Sequence, residues 1–248
     1  MPSSPVQRAP TPEYLNTVER EEELERLRNQ ARIRKSLLVH GSEGVGKSRL
    51  LQNFIGSQPL AVYIPQMRSP REFAMTLLQA LHSADGKVKL PGNIAALSTS
   101  SLKGIVHRAL DTQPFLMVLD HLDAPSRVVT GMIKDLHYYG RTPVIFASRS
   151  PHMEDIGALR PLCANKAERL EVKNFPPQVA LEFAQREAER TELWASNLET
   201  VLSSLVEWSD GNPGAILHLL KMAQLPQYRA GDQIKSHILY VDYCMGRR

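Results

Sequence analysis

The chain is poor in cysteine. Cys163 and Cys244 are the only two in 248 residues. They stand far apart and in no metal-ligand spacing, so a disulfide-stapled scaffold and a cysteine metal knot are both excluded, and reduced thiols are the reading. No apolar run approaches the ~20 residues that cross a bilayer. The first residues, MPSSPVQRAPTPEY, lack the apolar core of a secretion signal. The expectation is a cytoplasmic chain with no membrane partner. Excess charge is also small. A formal net charge of +4 is compatible with nucleic acid or with an acidic partner, and is specific to neither. There is no internal repeat. What remains is ordinary: 42% hydrophobic and 23% charged residues, enough at this length for a core of normal size.

Periodicity divides the chain into three parts. Residues 1–14 are rich in proline, serine and small side chains and read as a flexible segment. Residues 15–175 alternate helical and strand patterns. A helix spans LNTVEREEELERLRNQARIR, with Thr17 as its expected N-cap. Strands are read at 36–41, 60–65, 114–120, 142–148 and 167–173, and helices between them. Such alternation predicts an α/β sandwich with a parallel five-stranded sheet and helices on both faces. Residues 176–248 change character. PQVALEFAQREAER, NLETVLSSLVEWS and PGAILHLLKMA all read as helices, and a mixed apolar tail follows. These make a small helical lid domain, the tail either packing on it or presenting a strip to a partner.

The stretch with the most specific chemistry is GSEGVGKS. Gly41, Gly46, Lys47 and Ser48 fit G-x-x-x-x-G-K-[ST] at every fixed position, after an apolar strand and before a helix. The glycines let backbone N–H groups turn inward around phosphate oxygens, and the helix that follows aims its positive end at the same anion. Lys47 is placed to reach the β- and γ-phosphates, and the Ser48 hydroxyl to ligate Mg²⁺. The candidate nucleotide contacts are therefore Gly41, Ser42, Glu43, Gly44, Val45, Gly46, Lys47 and Ser48, with Arg49 directly after them. His40, just before the loop, reads as a packed strand end.

Such a loop needs an acidic partner for the metal. PFLMVLD ends in Asp120, at the tip of the most apolar strand, which is expected to lie beside the strand that feeds the loop. Asp120 is the second candidate Mg²⁺ residue. A guanine-specific protein would carry Asp-x-x-Gly after this strand, but position 123 is Asp123. NKAE, at 165–168, ends in Glu168 and precedes a strand, so it reads as a solvated loop. ATP is the expected nucleotide.

In order and spacing these motifs resemble the AAA+ and STAND ATPases (signal-transduction ATPases with numerous domains) and the related Orc/Cdc6-like origin-initiator ATPases. VEREEE is similar to the motif that precedes the phosphate loop in STAND proteins. Arg20, Glu21 and Glu23 match it, and Glu19 replaces a usual glycine. The same stretch also reads as a charged, solvated helix face. VIFASRS resembles the strand end whose polar residue and arginine sense the γ-phosphate, which implies that role for Ser148 and Arg149. GNPGAI resembles the Gly-x-Pro motif of STAND lids, with Pro213 packing on the adenine. Gly214 and Ala215 follow, where initiators tend to carry a sensing arginine.

One departure bears on activity. The family usually follows the Walker B aspartate with a glutamate that activates water. Here His121 stands in that place, and Asp123 is a second candidate base if the chain turns back. The resemblance then implies an ATP- and ADP-binding switch with slow hydrolysis, acting on a protein partner or within a homo-oligomer. Arg141 and Arg160 are candidate fingers onto a neighbour's nucleotide. A DNA-associated ATPase, as in transposition or initiator loading, is the alternative, although no winged-helix pattern and no concentrated basic stripe support it.

Overall fold

The structure is a computed structural model that describes residues 20–67, 69–122 and 125–246. The segment 1–14, Thr17, Glu19 and Asp123 lie outside the described residues. The first helix, α1, spans Glu21–Arg32, so it starts beyond the threonine expected to cap it, with Arg20 in the preceding position.

Strand β1 (Leu37–His40) leads through the glycine loop into α2 (Lys47–Gly56). Then come β2 (Ala61–Ile64), α3 (Pro70–Ala84), α4 (Thr99–Leu110), β3 (Leu116–Leu119), α5 (Arg127–Tyr138) and β4 (Val144–Ser148). A short helix, α6 (Met153–Ile156), and further 3₁₀ turns precede β5 (Arg169–Glu171). Local chemistry sets several starts. Ser69, Ser98 and Ser126 accept from the backbone N–H groups of Glu72, Ser101 and Val129, each capping a helix whose first donors would otherwise have no partner. The NKAE stretch is a 3₁₀ turn. Asn165 and Glu168 cap it reciprocally just before β5.

The sheet is parallel, with order β2-β3-β4-β1-β5. Both faces are covered, which is why its strands read as unbroken apolar runs. Alternate residues serve opposite cores. Leu37, Val39, Val118, Ile145 and Ala147 pack with Leu27 of α1 and with Leu50, Leu51 and Phe54 of α2. Leu38, Met117, Leu119, Val144 and Phe146 pack with Phe73 and Leu77 of α3, Val106 of α4 and Ile133 of α5.

One expectation is corrected here. The Asp120 strand does not lie beside β1. Strand β4 separates them, pairing with β1 through Val39↔Ala147 and with β3 through Leu119↔Phe146. The α2 crossover skips two strand positions, which β3 and β4 later fill, with β4 next to β1. The ends of β1, β4 and β3 thus line one edge, where ligands of open α/β sheets bind.

After β5 the chain is helical. Helices α7 (Pro177–Arg190), α8 (Leu198–Ser209) and α9 (Pro213–Ala223) build a separate apolar cluster. The tail folds back onto it. Strands β6 (Arg229–Ala230) and β7 (Gln233–Ile234) make a small hairpin, and α10 (Ser236–Gly246) buries Leu239 and Tyr243 in the same cluster. The Tyr240 ring packs against Trp208 at a 39° tilt, with centroids 4.8 Å apart. Of the two fates read for the tail, packing on the lid is the one observed. No described helix is long and apolar enough to cross a membrane.

Candidate nucleotide site

The loop leaves β1 at Gly41, whose N–H donates to the Arg149 carbonyl across 3.2 Å. A β-carbon on Gly41 would stand 2.3 Å from the Val172 carbonyl oxygen, so no larger residue fits. Gly44 (φ +77°) and Gly46 (φ +99°) have left-handed backbone, and the residue between them, Val45, is buried. Alternation of this kind turns successive N–H groups toward one side, where an anion is held. Nothing lies within 4 Å of where a Gly46 β-carbon would be, so that side of the loop is open to a ligand. The donor set suits phosphate oxygens.

Lys47 begins α2, directly behind that cradle. Its ammonium donates to the Gly41 carbonyl at 2.7 Å and to the Ser42 carbonyl at 2.8 Å. Burial lowers its pKa below the ordinary lysine value, against the opposing pull of Asp120 and Glu43. His40 is half-buried at the strand end, and burial likewise depresses its imidazole pKa.

Asp120 is 1% exposed at the tip of β3. One carboxylate oxygen accepts from the His121 N–H at 2.8 Å, and the other accepts from the Tyr63 hydroxyl at 2.7 Å. His121 has φ +47°, a left-handed backbone that turns its ring back toward the loop. Its Nε2 lies 3.2 Å from Ser48 Oγ and 3.7 Å from Asp120 Oδ2. The imidazole therefore links the two residues read as metal ligands. A serine hydroxyl and a carboxylate are the donor types a hard divalent cation takes, so these side chains fit Mg²⁺. Among the described residues no group of three or more His, Cys, Asp or Glu side chains gathers.

Tyr63 is absent from the sequence reading, and nothing in its strand pattern marks it. Burial first, and Asp120 second, raise its phenol above the ordinary value of 10.0. Above pH 10 the unfolded chain releases this proton while the folded chain keeps it, so stability falls as pH rises. Tyr63→Phe is expected to cost about 1.5–3 kcal/mol near neutral pH, as for a hydrogen bond to a charged group. It should also make the decline above pH 10 shallower than in the parent. Urea midpoints measured from pH 7 to 11 check both.

At the end of β4, Ser148 is 3% exposed and its hydroxyl donates to the Ser150 carbonyl at 2.6 Å. Arg149 reaches outward, and its guanidinium lies 3.8 Å from Glu43 of the loop. Arg20 holds the loop from behind. It donates to the Val45 carbonyl at 3.2 Å and the Lys173 carbonyl at 2.6 Å, pairs with Glu23 at 2.9 Å, and lies over the Phe175 ring at 4.6 Å. Its contacts are with the protein frame around the loop. Arg49 is half-buried on α2.

The lid meets the loop through the GNPG stretch. Asn212 caps α9 by accepting from the Ala215 N–H at 3.1 Å, and its amide nitrogen donates to the Glu43 carbonyl at 2.9 Å. The Gly214 N–H donates to the Gly44 carbonyl at 2.9 Å. Asn174 joins this set through a 3.2 Å bond from Asn212. Pro213, between the contacting residues, is buried at the first turn of α9. The sequence marks Asn212 and Pro213, but not the glycine pair. Gly44 and Gly214 are so close that a β-carbon on Gly214 would stand 2.7 Å from the Gly44 α-carbon.

The two candidate fingers are far from equivalent. Arg141 precedes β4, at the end of the sheet opposite the loop, where its carbonyl accepts from Arg34 at 3.4 Å. It lies away from this chain's own loop, which a residue reaching a neighbour's nucleotide does not need to approach. Arg160 is exposed on the 3₁₀ turn Gly157–Cys163.

Sheet order, phosphate loop and strand-tip aspartate together define a P-loop module of the AAA+ class. Residues 30–151, just under half of the chain, match the family model described as AAA domain. Solved structures share the fold over most of the chain. A Walker-type ATPase of Pyrococcus abyssi is 20% identical, with a TM-score of 0.63, covering 93% of this chain and 73% of that one. The Orc1 protein of Aeropyrum pernix, solved in complex with DNA, is 14% identical with a TM-score of 0.61, over 95% of this chain and 68% of its own. A STAND protein with a tetratricopeptide repeat sensor, from Pyrococcus horikoshii, is 14% identical with a TM-score of 0.54, over 92% of this chain and 32% of its own. The module is thus related in fold to both Orc/Cdc6 and STAND proteins. No curated protein sequence matches significantly.

Proposed function

We propose that the chain is a magnesium-ATP-binding switch with weak hydrolytic activity, whose readout is the position of the helical lid (176–248) on the α/β core (15–175). The observation that carries this is the direct bonding of the α9 start to the loop. Gly214 reaches Gly44, and Asn212 reaches Glu43. Any rearrangement of residues 42–46 around phosphate must be felt by the lid, because the same carbonyl-bearing peptides serve both.

In this reading the loop amides from Ser42 to Ser48 take the phosphate chain. Lys47 gives up its two loop carbonyls and turns to the β- and γ-phosphates. Ser48 and Asp120 hold Mg²⁺, which supplies charge neutralisation. Arg149, free to swing from its exposed Glu43 contact, and Ser148 stand at the γ-phosphate edge. Pro213 borders the base, and Arg20 keeps the loop in register. Slow turnover follows from His121. Its ring is turned onto Ser48, and no carboxylate occupies the position after Asp120.

His121→Glu is therefore expected to raise ATP hydrolysis roughly a hundredfold, the low end of what a placed general base supplies. Single-turnover phosphate release measures it. An unchanged or lower rate would mean that this position does not face the attacked phosphate.

Calorimetric titration with magnesium-ATP, ADP and GTP tests the switch reading at its root. Heat with the adenine nucleotides and none with GTP is expected, and no heat with any of the three would overturn it. Pull-downs with ATP- and ADP-loaded protein then address the protein partner. A steep salt dependence of duplex DNA binding would favour the nucleic-acid alternative instead.

A further inference from the structure

Resting on that nucleotide reading, we infer that His121 is a nitrogen ligand of the nucleotide-bound cation, so that the site holds Mn²⁺ or Co²⁺ more tightly than the Mg²⁺ it also accepts. Three observations converge. The imidazole Nε2 lies 3.2 Å from the Ser48 hydroxyl and 3.7 Å from the Asp120 carboxylate. Ligands on adjacent corners of an octahedron with bonds of about 2.1 Å are about 3.0 Å apart, so the nearer spacing is close to that of neighbouring ligands. The ring is also held there by the backbone. His121 adopts φ +47°, and its own N–H is tied to Asp120 Oδ1. A bulky residue holds such a backbone only where its surroundings fix it. Finally, the His121 side chain is 67% exposed, so core packing does not account for its direction.

The chemistry follows from the donor types. Hydroxyl and carboxylate oxygen suit Mg²⁺ and Mn²⁺ alike, and imidazole shifts preference toward the later first-row metals. Neutral imidazole offers Nε2 when Nδ1 carries the proton. A site of one hydroxyl, one carboxylate and one imidazole, completed by phosphate oxygens, therefore accepts Mg²⁺ but binds these later metals more tightly.

The test uses the full chain with histidines labelled with ¹⁵N, loaded with Mn²⁺ and either ADP or a non-hydrolysable ATP analogue. Pulsed electron paramagnetic resonance is expected to show a directly bound ¹⁵N nucleus, which the label separates from adenine nitrogen. His121→Asn keeps a residue tolerant of left-handed backbone. It should abolish that coupling and reduce the preference for Mn²⁺ and Co²⁺ over Mg²⁺, read from nucleotide affinity with each cation, by roughly tenfold. Circular dichroism of the variant guards against misfolding, and His121→Ala repeats the measurement. Nucleotide binding without ¹⁵N coupling, and with the same cation preference in parent and variants, would overturn the inference and leave the nucleotide reading standing. No nucleotide binding with any cation would overturn both.

Discussion

Lys47→Ala is expected to weaken magnesium-ATP binding about a hundredfold while leaving the fold intact. The ammonium bridges the Gly41 and Ser42 carbonyls of the phosphate loop, 2.7 and 2.8 Å away. In the nucleotide complex it exchanges those neutral partners for anionic oxygens. A hydrogen bond to a charged group is worth about 1.5–3 kcal/mol, and each 1.4 kcal/mol is about tenfold in affinity. Two such bonds lost, less the carbonyl bonds given up, come to about 3 kcal/mol. Stability should suffer little, because the amine is held partly desolvated and below its usual pKa, an arrangement that costs the folded state. Calorimetry gives the affinity and thermal melting the stability. Parent-like affinity in a folded Lys47→Ala protein would remove the nucleotide reading of the loop.

Gly214→Ala carries the second large effect. Helix propensity alone would reward the change by up to about 1 kcal/mol. The contact reverses the sign. The added β-carbon would meet the Gly44 α-carbon at 2.7 Å and its carbonyl oxygen at 3.0 Å, both backbone atoms that cannot turn aside. The start of α9 must lift, and the Gly214–Gly44 and Asn212–Glu43 bonds lengthen or break. A loss of about 1–3 kcal/mol is expected, typical of overpacking. The functional consequence is larger. In the parent, ATP and ADP are expected to give different protease sensitivity around residues 210–215, and without the contact that difference should vanish. Gly86→Ala, with nothing within 4 Å of its β-carbon, is the neutral comparison. A Gly214→Ala protein that keeps parental stability and nucleotide-dependent proteolysis would sever the proposed link between loop and lid.

Much of the fold was legible because its signals are local. A proline at the first turn and an apolar stripe fix α7 at Pro177–Arg190 and α9 at Pro213–Ala223. Glycine spacing and Lys47-Ser48 mark the loop, since only that backbone can turn its amides inward. Strand order was harder to read. Val39 pairs with Ala147 and Leu170, residues more than a hundred positions away, and no local pattern encodes which strand fills the gap beside β1. Tyr63 was missed for the same reason. Its role rests on a single hydroxyl meeting Asp120 across a strand pair. Arg20 was marked by a motif, but its carbonyl partners at Val45 and Lys173 are long-range.

By itself the sequence determined the alternation of strands and helices, the glycine loop with its lysine and serine, the apolar strand that ends in Asp120, and the histidine that follows it. These are properties of neighbouring residues, set by backbone sterics and side-chain periodicity. Only the tertiary structure decided that β4 stands between the two key strands, that the His121 ring turns onto Ser48, and that Gly214 rests on Gly44. Those outcomes depend on how two apolar faces of one sheet are covered at once and on how the helical cluster seats against the loop. That packing is chosen by the whole chain, so no stretch of it carries the answer alone.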